Sequence, residues 1–155
     1  RRGRRAWRRW AAADGYRRRK QDRAKGGLVT GVTWPTSAPA RRVYKLSKRF
    51  DQDISAVCGA FNVTVTDGIV TDARIAFGGM AGTPHRAPAV EGALTGQPWT
   101  NAKIIAAAAK FADDYTPMSD MRASAGYRQE VAASMLHRYF AELAGEAVNV
   151  LEVQP

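Results

Sequence analysis

The first half of the chain alternates apolar and polar positions with a period of two, which is typical of half-buried β-strands. One such run begins at Leu28, and a second covers residues 43–49. Successive side chains of a strand point to opposite faces of the sheet, and Tyr44 and Leu46 share the more apolar face of the second run. We therefore expect Lys45 to point away from the buried side of the sheet.

A β-hairpin is predicted around the Asp-Gly dipeptide at positions 67–68, which favours a tight turn. A two-residue turn would pair Val65 with Val70 and would set the apolar positions of the two strands on opposite faces. A three-residue loop at 66–68 instead pairs Val65 with Ile69 and joins the two apolar faces. We therefore predict the three-residue loop, with its glycine in the left-handed conformation. The apolar positions used here are Phe61, Val63, Val65, Ile69, Ala73, Ile75 and Phe77.

The second half of the chain changes to the 3.6-residue period of amphipathic helices. Three helices are predicted. The first covers residues 87–94, the second begins at a Thr100 or Asn101 cap, and the third begins near the capping pair at positions 119–120. The apolar stripe of the third helix consists of Ala125, Ala132, Met135, Leu136, Tyr139 and Leu143. Because the strands precede the helices, the order predicts an α+β domain: a small antiparallel sheet, centred on the hairpin, with three helices packed on one face.

The positive charge of the chain is confined to its first residues. The 155 residues carry a formal net charge of +10. Residues 1–25 hold twelve Arg or Lys and two Asp, whereas residues 26–155 hold twelve basic and twelve acidic residues. Dense runs of like charge usually stay disordered. We therefore expect residues 1–19 to be a basic arm, either disordered or not native sequence, and residues 20–150 to form the domain.

The arm leaves one alternative function open. Its arginines are interleaved with Trp7 and Trp10, a mixture that suits phosphates or anionic headgroups. A nucleic-acid or anionic-surface binding module is therefore an alternative to a role in an enzyme, although nucleic acid is the less favoured partner. No apolar run approaches the roughly 18–20 residues that span a bilayer, so no membrane partner is expected.

Motifs for self-contained chemistry are lacking in the sequence. Cys58 is the single cysteine, which excludes an intrachain disulfide and a cysteine-based metal site. The glycines at 78–82 lack the spacing of a dinucleotide or Walker phosphate loop, and their pattern indicates a sharp strand-to-helix connection. No Ser/His/Asp grouping or metal-ligand cluster occurs. We predict no catalytic residue and no metal ligand in this chain.

Four motifs resemble the C-terminal domain of the FAD-binding subunit of bacterial xanthine dehydrogenase, a molybdenum hydroxylase. They are YKLSKRFDQDIS at residues 44–55, ARIAFGGMA at 73–81, TP at 83–84 and SDMRASA at 119–125, in the family's order and at its spacing. The resemblance covers about residues 20–142. The stretch FDQDIS at 50–55 favours the xanthine dehydrogenase branch over carbon monoxide dehydrogenases and other molybdenum hydroxylases.

The resemblance implies a role in electron transfer. Such enzymes hydroxylate a purine at a molybdenum cofactor and pass electrons through iron–sulfur centres to FAD, where NAD is reduced. It implies that FAD is shared with a preceding domain, and that the iron–sulfur centres and the molybdenum-cofactor large subunit lie elsewhere in a cytoplasmic assembly. The chain is then expected to be the C-terminal piece of a longer subunit, inactive by itself.

The resemblance also implies which residues face the flavin. The family lysine that contacts FAD matches Lys45, and an aliphatic flavin contact matches Val29. Arg49, Asp51 and Asp53 match a loop beside the flavin that shapes the electrostatics of NAD approach. A flavoprotein subunit of another molybdenum hydroxylase, one that oxidises carbon monoxide or an aldehyde, is the second alternative.

Overall fold

The computed structural model describes residue 26, residues 38–49 and residues 54–146. From residue 38 onward these lie in the compact unit Pro35–Pro155. The predicted strand from Leu28 and the arm at 1–19 lie outside the described residues. The elements are β1 (Arg42–Leu46), β2 (Val57–Thr66), β3 (Ile69–Gly78), β4 (His85–Arg86), α1 (Pro88–Leu94), α2 (Asn101–Ala108), α3 (Phe111–Asp114) and α4 (Ala125–Leu143).

The four strands form one antiparallel sheet in the order β1-β2-β3-β4, and the helices follow them in the chain. This confirms the predicted α+β class. Alternate residues of β2 and β3 are buried against the helices, so one face of the sheet and the inner sides of the helices make a single core. Its largest fully buried side chains are Tyr139, Phe61, Phe77, Phe111, Ile75, Met80, Leu94, Ile104 and Leu136.

The register predicted for the hairpin is wrong. Val65 pairs with Val70 rather than with Ile69, and the turn contains only Asp67 and Gly68. Both turn residues have positive φ, 51° and 77°, which is the signature of the two-residue turn that follows the twist of the strands. The left-handed conformation predicted for Gly68 is confirmed.

A β-bulge explains how a two-residue turn still joins the apolar faces. Thr64 pairs with Asp72, so Thr71 is an extra residue on β3 without a Cα partner on β2. Its hydroxyl donates a hydrogen bond to the carbonyl of Thr64, 3.2 Å away. The extra residue shifts the phase of β3 by one position. Val70 is consequently buried, whereas Ile69, predicted on the apolar face, is 39% exposed.

Two of the predicted helices differ in their bounds. The second is split, because α2 ends at Ala108 and a separate turn of helix, α3, begins at Phe111. The third begins at Ala125, after a Ser124 cap whose hydroxyl accepts a hydrogen bond from the amide of Tyr127. The predicted start at 119–120 is therefore wrong.

The hydroxyl of Tyr139 replaces a missing step of the β1–β2 ladder. The ladder ends at the pair Arg42–Phe61, and in the same register Ala40 would lie opposite Val63, two positions further on. Tyr139 Oη accepts a hydrogen bond from the Val63 amide at 2.9 Å and donates one to the Ala40 carbonyl at 2.8 Å. Helix α4 thus satisfies backbone groups where the strand pairing stops.

Candidate functional site

Lys45 lies on β1, on the face of the sheet opposite the helices. Its neighbours Tyr44 and Leu46 contribute to the core, whereas Lys45 is exposed and Val43 is 60% exposed. This alternation confirms the orientation predicted from the sequence. Strand geometry therefore presents an ammonium group on a surface that the core does not use.

A cluster of polar contacts fixes β1 to the end of α4. Tyr44 Oη donates a hydrogen bond to Glu142 Oε2 at 2.9 Å, and Arg138 Nε donates to Glu142 Oε1 at 2.7 Å. The Arg138 guanidinium also lies 4.7 Å from the centre of the Tyr44 ring. Burial raises the pKa of Tyr44, and the hydrogen bond to Glu142 raises it further. Burial alone would raise the pKa of Glu142, but the hydrogen bonds from Arg138 and Tyr44 outweigh it and lower that pKa.

Small side chains lie beside Lys45 on the outer face of the sheet. Cys58 lies opposite Lys45 on β2, and Ala60 lies opposite Val43. On β3, Ala76 continues this row beside Ala60. Small side chains on a pleated surface let a planar group approach the backbone closely. This part of the outer face therefore offers room beside the Lys45 side chain.

The connection from β1 to β2 begins beside Lys45. Lys48 Nζ donates a hydrogen bond to the Met121 carbonyl at 2.7 Å, and Arg49 is exposed. The structure thus places Lys45 and Arg49 on the same short segment. The other three residues predicted for this site, Val29, Asp51 and Asp53, lie outside the described residues.

An open cleft of about 200 Å³ borders this connection. Clefts that hold drug-sized ligands are usually larger, at about 300–1,000 Å³. The cleft is therefore too small to hold a dinucleotide by itself. Its walls are formed by Leu46, Ser47, Lys48, Ala56, Arg122 and Tyr127.

A buried arginine on α4 holds the far end of the same connection. Arg128 is only 3% exposed, and its guanidinium donates hydrogen bonds to the carbonyls of Ala56 and Gly79. It also donates to Asp120 Oδ1 at 2.6 Å. Hydrogen bonds from the amide of Arg122, the amide at 123 and the Arg128 guanidinium lower the pKa of Asp120 to about 2. The carboxylate is therefore charged at neutral pH.

Gly79 is required where β3 leaves the sheet. Its φ of +85° lies in the left-handed region, and a Cβ there would come within 2.3 Å of the Ala56 carbonyl oxygen. Only glycine permits both the conformation and the close approach. The positive φ agrees with the sharp connection predicted for this glycine-rich stretch, but the stretch leads from β3 to the short strand β4 and not directly to a helix as predicted.

Sequence reasoning missed Arg128, although the sequence contains a signal for it. Arg128 lies three residues after Ala125 and four before Ala132, so it falls within the apolar stripe of the helix. An arginine at such a position must find carboxylate or carbonyl partners, since a buried charge is strongly unfavourable without them. Asp120, predicted to cap the helix, is instead that partner.

The described residues, 38–49 and 54–146, contain no group of three or more His, Cys, Asp or Glu side chains that could hold a metal ion. Across this same part of the chain, no helix is long and apolar enough to cross a bilayer.

The described residues form an α+β domain in which a four-stranded antiparallel sheet packs one face on the helices and presents Lys45 on the other. The family model for the CO dehydrogenase flavoprotein C-terminal domain matches residues 42–143. The chain belongs to this family, the C-terminal domains of the FAD-binding subunits of molybdenum hydroxylases.

Similar proteins share this domain within longer chains. The glyceraldehyde dehydrogenase medium chain of Sulfolobus acidocaldarius is 30% identical over 123 residues, which are 79% of this chain and 44% of that protein. Nicotinate hydroxylase of Emericella nidulans is 30% identical over 135 residues, 81% of this chain and 10% of that one. A structure of carbon monoxide dehydrogenase from Hydrogenophaga pseudoflava has a TM-score of 0.58 at 33% identity, covering 63% of this chain and 34% of that one. The chain thus spans less than half the length of each.

Proposed function

We propose that this domain supports FAD held by a neighbouring domain of the same subunit, in an enzyme of the xanthine dehydrogenase type. FAD, when bound, supplies the redox chemistry that passes electrons from iron–sulfur centres to NAD during purine hydroxylation at a molybdenum cofactor. The observation that carries the proposal is the placement of Lys45 on the outer face of β1, beside the small side chains of Cys58 and Ala60.

The described residues fit one edge of a flavin rather than the whole cofactor. The Lys45 ammonium can donate to carbonyl or ring nitrogen acceptors of a flavin, beside the small side chains of Cys58 and Ala60. The connection after β1 adds the exposed cations Lys48 and Arg49. We assign the remaining FAD contacts, including those to the pyrophosphate, to a preceding domain.

Lys45 can also tune the reactivity of the flavin. A cation at the edge of the ring stabilises added electron density, and charge near the ring is a recognised means of tuning it. Removing the ammonium therefore lowers the reduction potential of the flavin as well as weakening its retention. The carboxylates Asp51 and Asp53 are proposed to oppose this effect and to shape the approach of NAD.

The test is Lys45→Ala in the complete enzyme, with Lys103→Ala on the exposed side of α2 as the matched control. Losing a charge-assisted hydrogen bond of about 1.5–3 kcal/mol predicts a roughly tenfold to hundredfold loss of FAD retention or of NAD reduction. Purine oxidation with an artificial acceptor that takes electrons upstream of the flavin should stay nearly unchanged. Wild-type flavin content and NAD turnover in the Lys45 variant would refute the role of Lys45.

A second candidate differs only in the substrate of the assembly. The relatives above are named for glyceraldehyde, nicotinate and carbon monoxide, which favours an aldehyde- or carbon monoxide-oxidising enzyme as the alternative. The stretch at residues 50–55 supports the purine instead. A panel of xanthine, an aldehyde and carbon monoxide, offered to the complete enzyme with one artificial acceptor, distinguishes the two candidates by which substrate reduces that acceptor.

A further inference from the structure

Both ends of the β1–β2 connection are tied to one turn of the chain, at residues 119–123. At the first end, Lys48 Nζ donates a hydrogen bond to the carbonyl of Met121. At the second, the Ala56 amide donates to the Leu46 carbonyl at 2.8 Å, which closes the connection across its base. The Ala56 carbonyl then accepts a hydrogen bond from Arg128. The backbone of Ala56 is thereby held on both sides.

Asp120 completes this clamp. Its Oδ1 accepts hydrogen bonds from the amide of Arg122 at 2.8 Å, from the amide of Ala123 at 3.1 Å and from Arg128 Nη2 at 2.6 Å. The carboxylate thus fixes its own turn and the arginine together. The same guanidinium donates a hydrogen bond to the Gly79 carbonyl at 2.8 Å, so the segment that follows β3 is bound to Arg128 as well. One ion pair therefore joins three separate segments of the chain.

Stability alone does not account for the buried arginine at this place, because taking its charge out of water is unfavourable and its partner Asp120 stays partly exposed, with 31% of its side chain accessible. Arg128 Nε is also buried without a hydrogen-bond partner. What the planar guanidinium provides is direction, since its donors fix the carbonyls of Ala56 and Gly79 at set angles. The arrangement therefore favours a geometric role.

We propose that Asp120 and Arg128 are positioning residues, which hold the two described ends of the β1–β2 connection, residues 47–49 and 54–56, and through them set the environment of the flavin that Lys45 contacts. The proposal rests on the proposed function. Arg49 and Lys48 lie on this connection, so a shift of its base moves their charges relative to Lys45. The effect on the flavin is therefore electrostatic and passes through the Ala56–Leu46 hydrogen bond at the base of the connection.

The first arm of the test uses the full chain. Asp120→Asn keeps the size of the side chain and a carbonyl acceptor but removes the charge that holds Arg128, and Asp113→Asn on exposed α3 is the matched control. The amide of Ala56 should exchange with deuterium about tenfold to a hundredfold faster in the Asp120 variant, while the hairpin amides of β2 keep their protection. Wild-type exchange at Ala56 would overturn the clamp.

The second arm measures the midpoint potential of the flavin and KM for NAD in the complete enzyme. Asp120→Asn should shift one or both, whereas Asp113→Asn should shift neither. Faster exchange at Ala56 with an unchanged flavin potential and an unchanged KM would overturn the positioning role. Lys48→Met frees the other end of the connection and should give the same signature, so the inference remains testable if the Asp120 variant does not fold.

The two proposals fail in different ways. If Lys45→Ala leaves flavin retention and NAD reduction at the wild-type level, the proposed function fails whatever Asp120→Asn does to exchange. If Lys45→Ala has its expected effect and Asp120→Asn moves neither the flavin potential nor KM, only the positioning role fails.

Discussion

The two faces of the sheet are built by the same strands and have different chemistry. The inner face carries large rings, and Phe77 packs edge-to-face on both Phe61 and Phe111 at centroid distances of 5.5 and 5.2 Å. The outer face carries Lys45 and small side chains such as Ala60. Because successive residues of a strand alternate between faces, stability and function occupy neighbouring positions in the sequence without sharing side chains.

The comparison teaches which substitutions should separate the two properties. Changes on the inner face remove contacts made by buried atoms, so they should lower the free energy of unfolding. Changes on the outer face leave the core intact and should act on the flavin. The predictions below run from the largest expected effect on stability to the smallest.

Phe77→Ala should have the largest effect. Phe77 is 1% exposed, and removing its ring leaves a cavity between two aromatic neighbours. We expect a loss of about 3–5 kcal/mol in the free energy of unfolding, measured by urea denaturation. Arg74→Ala, on the outer face of the same strand, should lose no more than about 1 kcal/mol, since Arg74 pairs with Asp72 at the surface. Equal losses would erase the distinction between the faces.

Tyr139→Phe should have the next largest effect. The ring remains, but the Val63 amide and the Ala40 carbonyl lose the hydroxyl that joins them. Leaving such groups unsatisfied should lower the free energy of unfolding by about 1–3 kcal/mol. Tyr127→Phe is the control, because its ring is exposed. If both variants unfold at the same urea concentration, the bridging role of Tyr139 is wrong.

The effect of Asp120→Asn on stability should depend on pH. The pKa of Asp120 is lowered from an ordinary value of 3.8 to about 2 in the folded chain. Its charged form therefore stabilises the fold fully above pH 3.8, and this contribution is lost as the pH falls towards 2. The difference in Tm between wild type and variant should be constant near neutral pH and should narrow below pH 3.8. A difference that stays constant down to pH 2 would contradict this interpretation.

Lys45→Ala should have the smallest effect on stability. The side chain is exposed and lies outside the core, so the free energy of unfolding should change by less than about 0.5 kcal/mol. Urea denaturation of the full chain measures it. A loss comparable with that of Tyr139→Phe would mean that Lys45 belongs to the structural framework rather than to the outer face.

The sequence predicts faces better than it predicts registers and boundaries. Alternation assigns Lys45 to the outer face because burial of Tyr44 and Leu46 leaves no other choice. The hairpin register cannot be obtained in this way. The extra residue of the bulge, Thr71, is polar and is followed by a polar residue, so the hydrophobic pattern does not reveal it. A two-residue turn combined with a bulge places the apolar residues of β2 and β3 on the same face. A three-residue loop without a bulge would do the same, so the apolar pattern does not distinguish them.

The start of α4 shows the same limit for capping residues. Ser119 and Asp120 have the chemistry of helix caps, yet the carboxylate binds Arg128, eight residues further along. The hydroxyl of Ser119 nevertheless accepts a hydrogen bond from the amide of Ala125, the first residue of the helix. Local pattern identifies the residues that can cap, whereas tertiary partners decide which of them does.

Lys45 is the residue through which the outer face of β1 is proposed to meet the flavin. The most direct measurement is the FAD dissociation constant of the complete flavoprotein subunit, obtained by fluorescence titration of the flavin-free protein with FAD. Lys45→Ala should weaken binding about tenfold to a hundredfold, whereas Lys103→Ala should leave the constant unchanged. Equal constants for wild type and both variants would contradict the claim.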